Sequence, residues 1–173
     1  MNKIIVISGK QYSGKDTFAA ILLEKMNDFK RIGIGDAIKI EYAKQKNLTL
    51  DEIIKNKHLY RNDLIKLGDW GRSQDDDYWL NNLANMDKII VPDVRVNHEV
   101  EYFKSKGAFL IRVNSSYENR SIRGIITNED DPTETALDGY KNWNLIVDNN
   151  SDLDYLYQIA NEAIEKFNSF IKL

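Results

Sequence analysis

The residues best suited to chemistry form a glycine-rich turn near the start of the sequence. Gly9 and Gly14 are five positions apart, Lys15 follows the second glycine, and an apolar run at residues 3–8 leads into the turn. Such glycines let successive backbone N–H groups converge on phosphate oxygens, and a following helix adds its positive N-terminal end. Lys15 would reach the β- and γ-phosphates as a point charge. The predicted phosphate-binding loop consists of Gly9, Lys10, Gln11, Tyr12, Ser13, Gly14, Lys15, Asp16 and Thr17.

Asp16 departs from the usual form of this loop, in which a Ser or Thr hydroxyl binds Mg²⁺ at that position. Thr17 offers a hydroxyl one position later. A carboxylate is a hard oxygen ligand of the kind that Mg²⁺ prefers, and it can bind the ion directly or through water. Asp16 is therefore our first candidate metal ligand.

A second group of polar residues follows the apolar run at residues 88–91. Asp93 ends this run after Pro92, and Arg95 comes two positions later. In phosphate-loop enzymes an acid at the end of a neighbouring parallel strand faces the Mg²⁺ shell. Open α/β sheets also bind ligands at the carboxyl ends of their strands. We predict that Asp93 belongs to the metal site and that Arg95 lies where the phosphates react.

Arg120 and Arg123 are three positions apart, which places them on one face of a helix. An acid-rich stretch at residues 127–134 follows them. This pattern favours a lid, at about residues 115–134, that closes over phosphates and excludes water. Two arginines on a solvated helix face would give the same pattern.

The elements that must position these residues alternate between apolar strand-like runs and amphipathic helical runs along the chain. Alternation of this kind predicts a mostly parallel sheet with helices on both faces and right-handed crossovers. We expect one three-layer α/β/α domain over residues 1–173, with five strands and a helical insertion at about residues 36–86. Strands are predicted at residues 29–34 and 143–147, Asp36 as the cap of one helix and Ser151 as the cap of the last.

The composition excludes several classes of protein. The 173 residues contain no cysteine, carry a net charge of −3 and have a pI near 5.5. Disulfides and thiolate chemistry are therefore absent, and the acidic balance argues against general nucleic-acid binding. No signal peptide or membrane-length apolar run is present. We expect a cytoplasmic protein without nucleic-acid or membrane partners, either a monomer or a homodimer.

The candidate cations suggest the kind of acceptor. A phosphate acceptor attacks with an ionised oxygen, so the main obstacle is repulsion between anions, whereas an alcohol needs a base. We interpret His58 and His98 as structural or surface residues, so no histidine is a candidate for proton transfer, although Asp36 or Asp93 could be recruited as a base. Because the chain offers many candidate cations and few candidate bases, we favour a phosphate as the acceptor. The candidate cations outside the loop are Lys39, Arg61, Arg72, Arg95, Arg112, Arg120 and Arg123.

Motifs along nearly the whole chain resemble those of the phage-type deoxynucleoside monophosphate kinases and the animal-type phosphomevalonate kinases. The matching segments are residues 8–9 with 13–17, 35–39, 93–95, 131–137 and 147–150. The resemblance implies the P-loop NTPase fold, ATP and Mg²⁺ as cofactors, a small phosphorylated substrate, and lid arginines, Arg120 and Arg123, that act on phosphates. It also places Asn149 and Asn150 near the adenine or the substrate. The acceptor would be surrounded by Asp36, Lys39, Arg61, Arg72 and Arg95.

The two families differ in what their substrates require. Residues 67–72 and the aromatic Trp79 resemble the nucleotide kinases, in which a nucleobase needs a stacking surface. Residues 39–43, 60–63 and 120–124 resemble the phosphomevalonate kinases, whose substrate carries a carboxylate and needs an extra cation. We expect a (deoxy)nucleoside monophosphate as the acceptor, with Trp79 at the substrate. The alternatives are phosphomevalonate as the acceptor and a sensor that binds nucleotide without phosphoryl transfer.

Overall fold

A fully parallel sheet forms the centre of the molecule. The computed structural model describes residues 2–172, apart from the side chains of Lys57 and His58. Within this part of the chain the strands follow the order β2-β3-β1-β4-β5, and every pairing is parallel. The predicted α/β class is confirmed. The strands are β1 (Ile4–Ser8), β2 (Lys30–Arg31), β3 (Ile89–Val91), β4 (Phe109–Asn114) and β5 (Leu145–Asp148).

Helices cover both faces of the sheet. The described residues form α1 (Lys15–Lys25), α2 (Ile34–Lys46), α3 (Leu50–Lys55), α4 (Lys57–Gln74), α5 (Tyr78–Ala84), α6 (Asn97–Ser105), α7 (Tyr117–Arg123), α8 (Pro132–Thr135) and α9 (Leu153–Phe170). None of these helices is long and apolar enough to cross a membrane.

The central strand β1 shows why the protein forms three layers. Its side chains alternate between the two faces of the sheet, as the two-residue period of a strand requires. Ile5 and Ile7 pack with residues of α1 and α9, including Phe18. Ile4 and Val6 pack on the other face with α5 and α6. β1 is buried at all five positions and apolar at the first four, which is typical of a parallel sheet covered on both sides.

The helical insertion runs from α2 to α5 and has a small core of its own. Tyr42, Ile53 and Leu64 are buried together there. The start of α3 is stabilised by a reciprocal cap, in which the Thr49 hydroxyl accepts from the Glu52 N–H and the Glu52 carboxylate accepts from the Thr49 N–H. Caps of this kind satisfy backbone N–H groups that the first helical turn leaves unpaired.

Several predicted boundaries were wrong, including two caps. The strand predicted at residues 29–34 is only two residues long, because α2 already begins at Ile34 with Gly33 as its cap. Asp36 is therefore the third helical residue, and its carboxylate reaches back to the Gly33 N–H at 2.9 Å. The last helix is capped by Asp152 instead of Ser151, since the Asp152 carboxylate accepts from the Tyr155 N–H.

The last strand also begins later than predicted. It starts at Leu145, two residues after the predicted start at residue 143. Trp143 instead folds back so that its indole N–H donates to the Tyr140 carbonyl at 3.0 Å, and the two rings lie edge to face.

Candidate functional site

The turn between β1 and α1 has the backbone conformation of a phosphate-binding loop. Gly14 has a φ of 92°, and a Cβ there would lie 2.1 Å from Nδ2 of Asn149. Tyr12 is also in the left-handed region, with a φ of 57°, which is uncommon outside glycine. The amide of Asn149 donates to the Ser13 carbonyl at 2.8 Å and so holds the turn closed. A turn of this shape directly before the N-terminal end of α1 is typical of a phosphate-binding loop.

A cavity of about 500 Å³ opens over this loop. Lys15, the first residue of α1, is 8% exposed, and its Nζ lies 3.6 Å from Oδ2 of Asp16. The carboxylate of Asp16 remains largely exposed. The cavity is lined by Gln11, Tyr12, Gly14, Lys15, Asp16, Thr17 and Arg123.

The oxygen ligands at this cavity fit Mg²⁺ better than a metal that needs a complete protein cage. Asp16 supplies a carboxylate and Thr17 a hydroxyl at the cavity wall. Among residues 2–172, with the side chains of Lys57 and His58 left aside, no group of three or more potential His, Cys, Asp or Glu ligands occurs. Mg²⁺ is usually held by one or two carboxylates together with substrate phosphates and water. The residues present therefore suit a metal that arrives with a nucleotide.

Asp93 lies at the end of β3, where the sequence placed it, and holds the start of α2. Its Oδ1 accepts from the Ile34 N–H at 2.9 Å. Burial raises the pKa of the Asp93 carboxyl above its ordinary value, although hydrogen bonds from the amides of Ile34 and Gly35 oppose the shift. Asp93 thus orients the helix that carries Asp36 and Lys39. Its part in a metal site stays a prediction.

Asp36 and Lys39 form a close pair in the first turn of α2. The Lys39 Nζ lies 2.6 Å from Oδ1 of Asp36. Burial alone would raise the pKa of Asp36, but the hydrogen bonds from Lys39 and the Gly33 amide outweigh it and hold the pKa below its ordinary value. The carboxylate therefore remains ionised and fixes the ammonium group of Lys39.

A second cavity, of about 340 Å³, lies between α2 and α4. It combines three of the predicted acceptor cations with an aliphatic wall and contains neither an aromatic nor an acidic lining residue. Arg72 at its edge is oriented by Asp69, whose Oδ1 lies 2.7 Å from Nη2 of Arg72. Such a surface suits a small, multiply charged anion with an aliphatic body. The lining residues are Gly35, Ile38, Lys39, Arg61, Leu64, Ile65, Gly68 and Arg72.

Trp79 belongs to the core more than to a substrate surface. It is 2% exposed, and its indole N–H donates to the Gly68 carbonyl at 3.0 Å. Its ring packs so closely on Gly71 that a Cβ there would lie 2.6 Å from the indole. An edge of Trp79 contributes to a neighbouring cavity of about 310 Å³, which also includes Arg72. The 47% exposed Trp70 lies edge to face with Tyr78 instead.

Glu134 is a site residue that sequence reasoning did not assign. It is 5% exposed, and its two oxygens accept from the Gln11 backbone N–H at 2.8 Å and from Nη1 of Arg95 at 2.5 Å. The side chain of Gln11 in turn donates to the Thr127 carbonyl at 2.6 Å. The sequence offered one indication of this role, since Glu134 lies within the motif at residues 131–137. That motif alone assigned no function to Glu134.

The two lid arginines differ in surroundings. Arg123 lines the cavity over the phosphate loop. It donates to the carbonyls of Tyr12 at 3.2 Å and Asn149 at 3.0 Å. Arg120 is buried, is paired with Glu129 and approaches the Gln11 carbonyl at 3.5 Å. Both arginines therefore contact backbone carbonyls of the phosphate loop, Arg123 at Tyr12 and Arg120 at Gln11.

The loop after β5 lies against the phosphate loop and the start of α7 through its two asparagines, Asn149 and Asn150. Their predicted place near the adenine or the substrate stays a prediction. Asn149 contacts the Ser13 carbonyl. Asn150 accepts from the Ser116 N–H at 2.8 Å and from the Asn119 amide at 3.1 Å. These contacts join the start of α7 to the end of β5, next to the loop that would hold the phosphates.

Lys10 and Arg112 lie on another side of the phosphate loop. Both are paired with Asp138, at 2.8 Å and 3.2 Å. Arg112 also donates to the Ser8 hydroxyl at 3.1 Å, and burial lowers the pKa of its guanidinium. Arg112, a candidate cation in the sequence, thus supports the ends of β1 and β4.

A phosphate loop at the carboxyl edge of a parallel sheet is the arrangement that defines the P-loop NTPase fold. Solved structures with this fold include the shikimate kinase of Aquifex aeolicus, with a TM-score of 0.55, 15% identity and coverage of 94% of this chain and 96% of that one. The APS kinase of Mycobacterium tuberculosis, in complex with AMPPNP and APS, has a TM-score of 0.52, 14% identity and coverage of 96% and 98%. At these identities the likeness establishes the fold alone.

Sequence comparison defines the family. A curated phosphomevalonate kinase of Drosophila melanogaster is 30% identical over 173 aligned residues, covering 89% of this chain and 92% of the relative. The family profile of phosphomevalonate kinase matches residues 7–109, and that of deoxynucleotide monophosphate kinase matches residues 62–159. The chain belongs to the group of P-loop kinases formed by these two families.

Proposed function

We propose that this kinase transfers the γ-phosphoryl group of Mg-ATP to the phosphate of phosphomevalonate. The observation that carries this proposal is the cavity between α2 and α4, where Lys39, Arg61 and Arg72 meet an aliphatic wall without an aromatic surface. This substrate replaces the nucleotide expected from the sequence, and the 30% identical phosphomevalonate kinase supports the change.

The chemistry of phosphomevalonate matches the lining of this cavity. The molecule has a carboxylate at one end, a phosphate at the other and a short, methyl-branched aliphatic chain between them. Three cations suit the two anionic ends, because charge-assisted hydrogen bonds to carboxylate and phosphate are the stronger ones. Ile38, Leu64 and Ile65 would cover the hydrocarbon part.

Phosphoryl transfer between two phosphates requires charge neutralisation more than a base. An oxygen of the acceptor phosphate attacks the γ-phosphorus, the bond from that phosphorus to the β–γ bridging oxygen breaks, and ADP leaves. The second pKa of a phosphate monoester is about 6, so the attacking oxygen is already ionised near neutral pH. Mg²⁺, when bound, would neutralise charge on the β- and γ-phosphates.

Four cations of this chain would share the remaining charge. Lys15 would contact the β- and γ-phosphates from the start of α1, and Arg123 would contact them from the lid side. Arg95, held by Glu134, would meet the γ-phosphate as it moves, and Lys39 would hold the acceptor. Asp16 and Thr17 would hold the metal, with Asp93 fixing α2 in place.

A deoxynucleoside monophosphate is the second candidate acceptor. The observation in its favour is the neighbouring cavity of about 310 Å³, where Trp79 and Arg72 share a wall, together with the profile match over residues 62–159. Two observations count against a stacking role for Trp79: its indole N–H already donates to the Gly68 carbonyl, and its ring is buried.

An ADP-release assay with Mg-ATP tests the proposal. Phosphomevalonate and each ribo- and deoxynucleoside monophosphate are presented separately to the wild type and to Arg61→Met. We expect turnover with phosphomevalonate, and a loss in Arg61→Met of about tenfold or more in kcat/KM, since a cation–anion contact is removed. Lys66→Met, an exposed lysine on the same helix, is the matched control.

Each other outcome has a definite meaning. Turnover on nucleotides alone would overturn the substrate and favour the second candidate. Binding of ATP without transfer to any acceptor would favour a nucleotide sensor. Equal losses in Arg61→Met and Lys66→Met would show that general charge, not this cavity, attracts the acceptor.

A further inference from the structure

Arg31 lies between the phosphate loop and α2, the helix that carries Asp36 and Lys39. It has no role in the mechanism above. It is the last residue of β2, which forms one edge of the sheet. Its Nη2 donates to Oδ1 of Asp16 at 3.0 Å. Its Nη1 lies 3.8 Å from Oδ2 of Asp36, too far for a hydrogen bond but close enough for an ion pair.

These contacts complete a row of alternating charges that joins the two cavities. Lys15 and Asp16 line the nucleotide cavity, and Lys39 lines the acceptor cavity. The row runs from Lys15 through Asp16, Arg31 and Asp36 to Lys39, with successive N–O distances of 3.6, 3.0, 3.8 and 2.6 Å. Arg31 is its central member.

The contacts of Arg31 are unequal and only partly shielded from water. Its side chain is 44% exposed, so its pair with Asp16 contributes little to stability. A guanidinium has five donors in a rigid fork, so it can hold a carboxylate and a phosphate at once. The shorter contact is to the carboxylate that would serve the metal, and the longer one is to the carboxylate beside the acceptor.

We propose that Arg31 is a positioning residue that couples the two sites. It neutralises Asp16 while no metal is bound, and it turns to Asp36 and the acceptor phosphate when a divalent metal takes Asp16. Two cations beside one carboxylate repel each other, so metal binding drives this change. The acceptor part of the proposal rests on the proposed function, because it requires a phosphate at the acceptor cavity.

The two halves of the proposal predict effects of opposite sign in one variant. Arg31→Met keeps an unbranched apolar side chain but removes the charge. Mn²⁺ binding to the ADP complex, followed by electron paramagnetic resonance, should tighten by about five- to tenfold because a competing cation is lost. Phosphomevalonate binding to the Mg-ADP complex, followed by calorimetry, should weaken by about tenfold or more.

Lys30→Met is the matched control, since it removes a positive charge from the adjacent position of the same strand. It should change both affinities by less than about twofold, as expected of an exposed charge in water. If the substitution damaged β2 as a whole, the binding of both Mn²⁺ and phosphomevalonate would weaken instead.

The result decides between the alternatives. Unchanged or weaker Mn²⁺ binding in Arg31→Met overturns the proposal, as does phosphomevalonate binding equal to that of the wild type. If the wild type itself does not bind phosphomevalonate, the proposed substrate fails, and the Mn²⁺ titration still decides whether Arg31 competes for Asp16.

Discussion

Glu134 joins Arg95 to the phosphate loop through its two carboxylate oxygens. One oxygen accepts from Nη1 of Arg95 at 2.5 Å, and the other accepts from the Gln11 backbone N–H at 2.8 Å. Arg95 is thereby placed relative to the loop itself, although the two lie far apart in the sequence. A cation held in this way needs little rearrangement as charge develops on the transferring phosphoryl group.

Glu134→Gln should therefore lower kcat by about 10- to 100-fold, because a misplaced catalytic cation has effects of that order. The glutamine oxygen can still accept from Gln11, so the loop should keep its shape and the KM for ATP should change little. Steady-state kinetics tests this. Glu118→Gln, an exposed acid of α7, should behave like the wild type, and an unchanged kcat in Glu134→Gln would show that Arg95 needs no anchor.

Lys15→Ala should abolish measurable transfer and leave the fold intact. In the proposed mechanism the lysine would supply the point charge that faces the transferring phosphates. It belongs to neither of the two apolar clusters that flank the sheet. Transfer of labelled phosphate and circular dichroism are the measurements. Lys25→Ala, in the last turn of the same helix, is the control, and normal turnover in Lys15→Ala would remove the loop from the mechanism.

Arg123→Ala should act on kcat more than on the apparent affinity for the acceptor. Arg123 lines the nucleotide cavity and contacts the carbonyls of Tyr12 and Asn149, so its charge would serve the phosphates as transfer proceeds. Arg120→Ala should instead loosen the lid, because it removes the buried partner of Glu129. Kinetics and limited proteolysis separate the two, and a pure KM effect in Arg123→Ala would make Arg123 a ground-state binder.

Trp79→Phe should destabilise the fold by about 1–3 kcal/mol. It removes the hydrogen bond to the Gly68 carbonyl and leaves a void beside Gly71, and both losses fall in this range. Trp70→Phe, at an exposed position, should change stability by less than about 0.5 kcal/mol. Urea unfolding measures both. If both variants lost less than about 0.5 kcal/mol of stability, Trp79 would not be a core residue, and a stacking role for it would be favoured.

The contribution of Asp36 to stability should depend on pH. Its folded pKa lies below its ordinary value of 3.8, so the ionised form is favoured by folding. That stabilisation is present above the unfolded pKa and is lost as the pH falls through the folded pKa. The free energy of unfolding of the wild type should therefore exceed that of Asp36→Asn at about pH 7 and approach it at about pH 3. A constant difference across this range would contradict the prediction.

The parts of the site that sequence alone predicted depend on neighbours within a few positions. The spacing of Gly14 and Lys15 after an apolar strand predicted the phosphate loop. The reciprocal cap of α3, made by Thr49 and Glu52, is an equally local arrangement. The end of α6 is local too, because Gly107, two residues after its last residue, adopts a φ of 77° that favours glycine. Such signals survive in a sequence because hydrogen bonds and backbone conformation over one turn depend on spacing.

Tertiary packing competed with the local pattern at Asp36, whose predicted cap was wrong, and at Trp79, whose place at the substrate stays a prediction. Trp79 follows Trp70 and Tyr78 in a stretch that suggested a stacking surface, yet α4 supplies both a glycine to pack on and a carbonyl for its N–H. Asp36 has the side chain of a cap, but the end of β3 supplies Asp93, and α2 begins before Asp36. Neither partner is adjacent in the sequence.

What the sequence determined by itself is the P-loop kinase fold, because alternating apolar runs and one glycine-rich turn suffice to specify it. What only the tertiary structure decided is how the charges are paired. Glu134 reaches Gln11 across 123 positions. Arg31 meets Asp16 although β3 lies between β2 and β1, because α1, which carries Asp16, contacts β2. Sequence separation does not predict such contacts, since they depend on which strand ends lie at the same edge of the sheet.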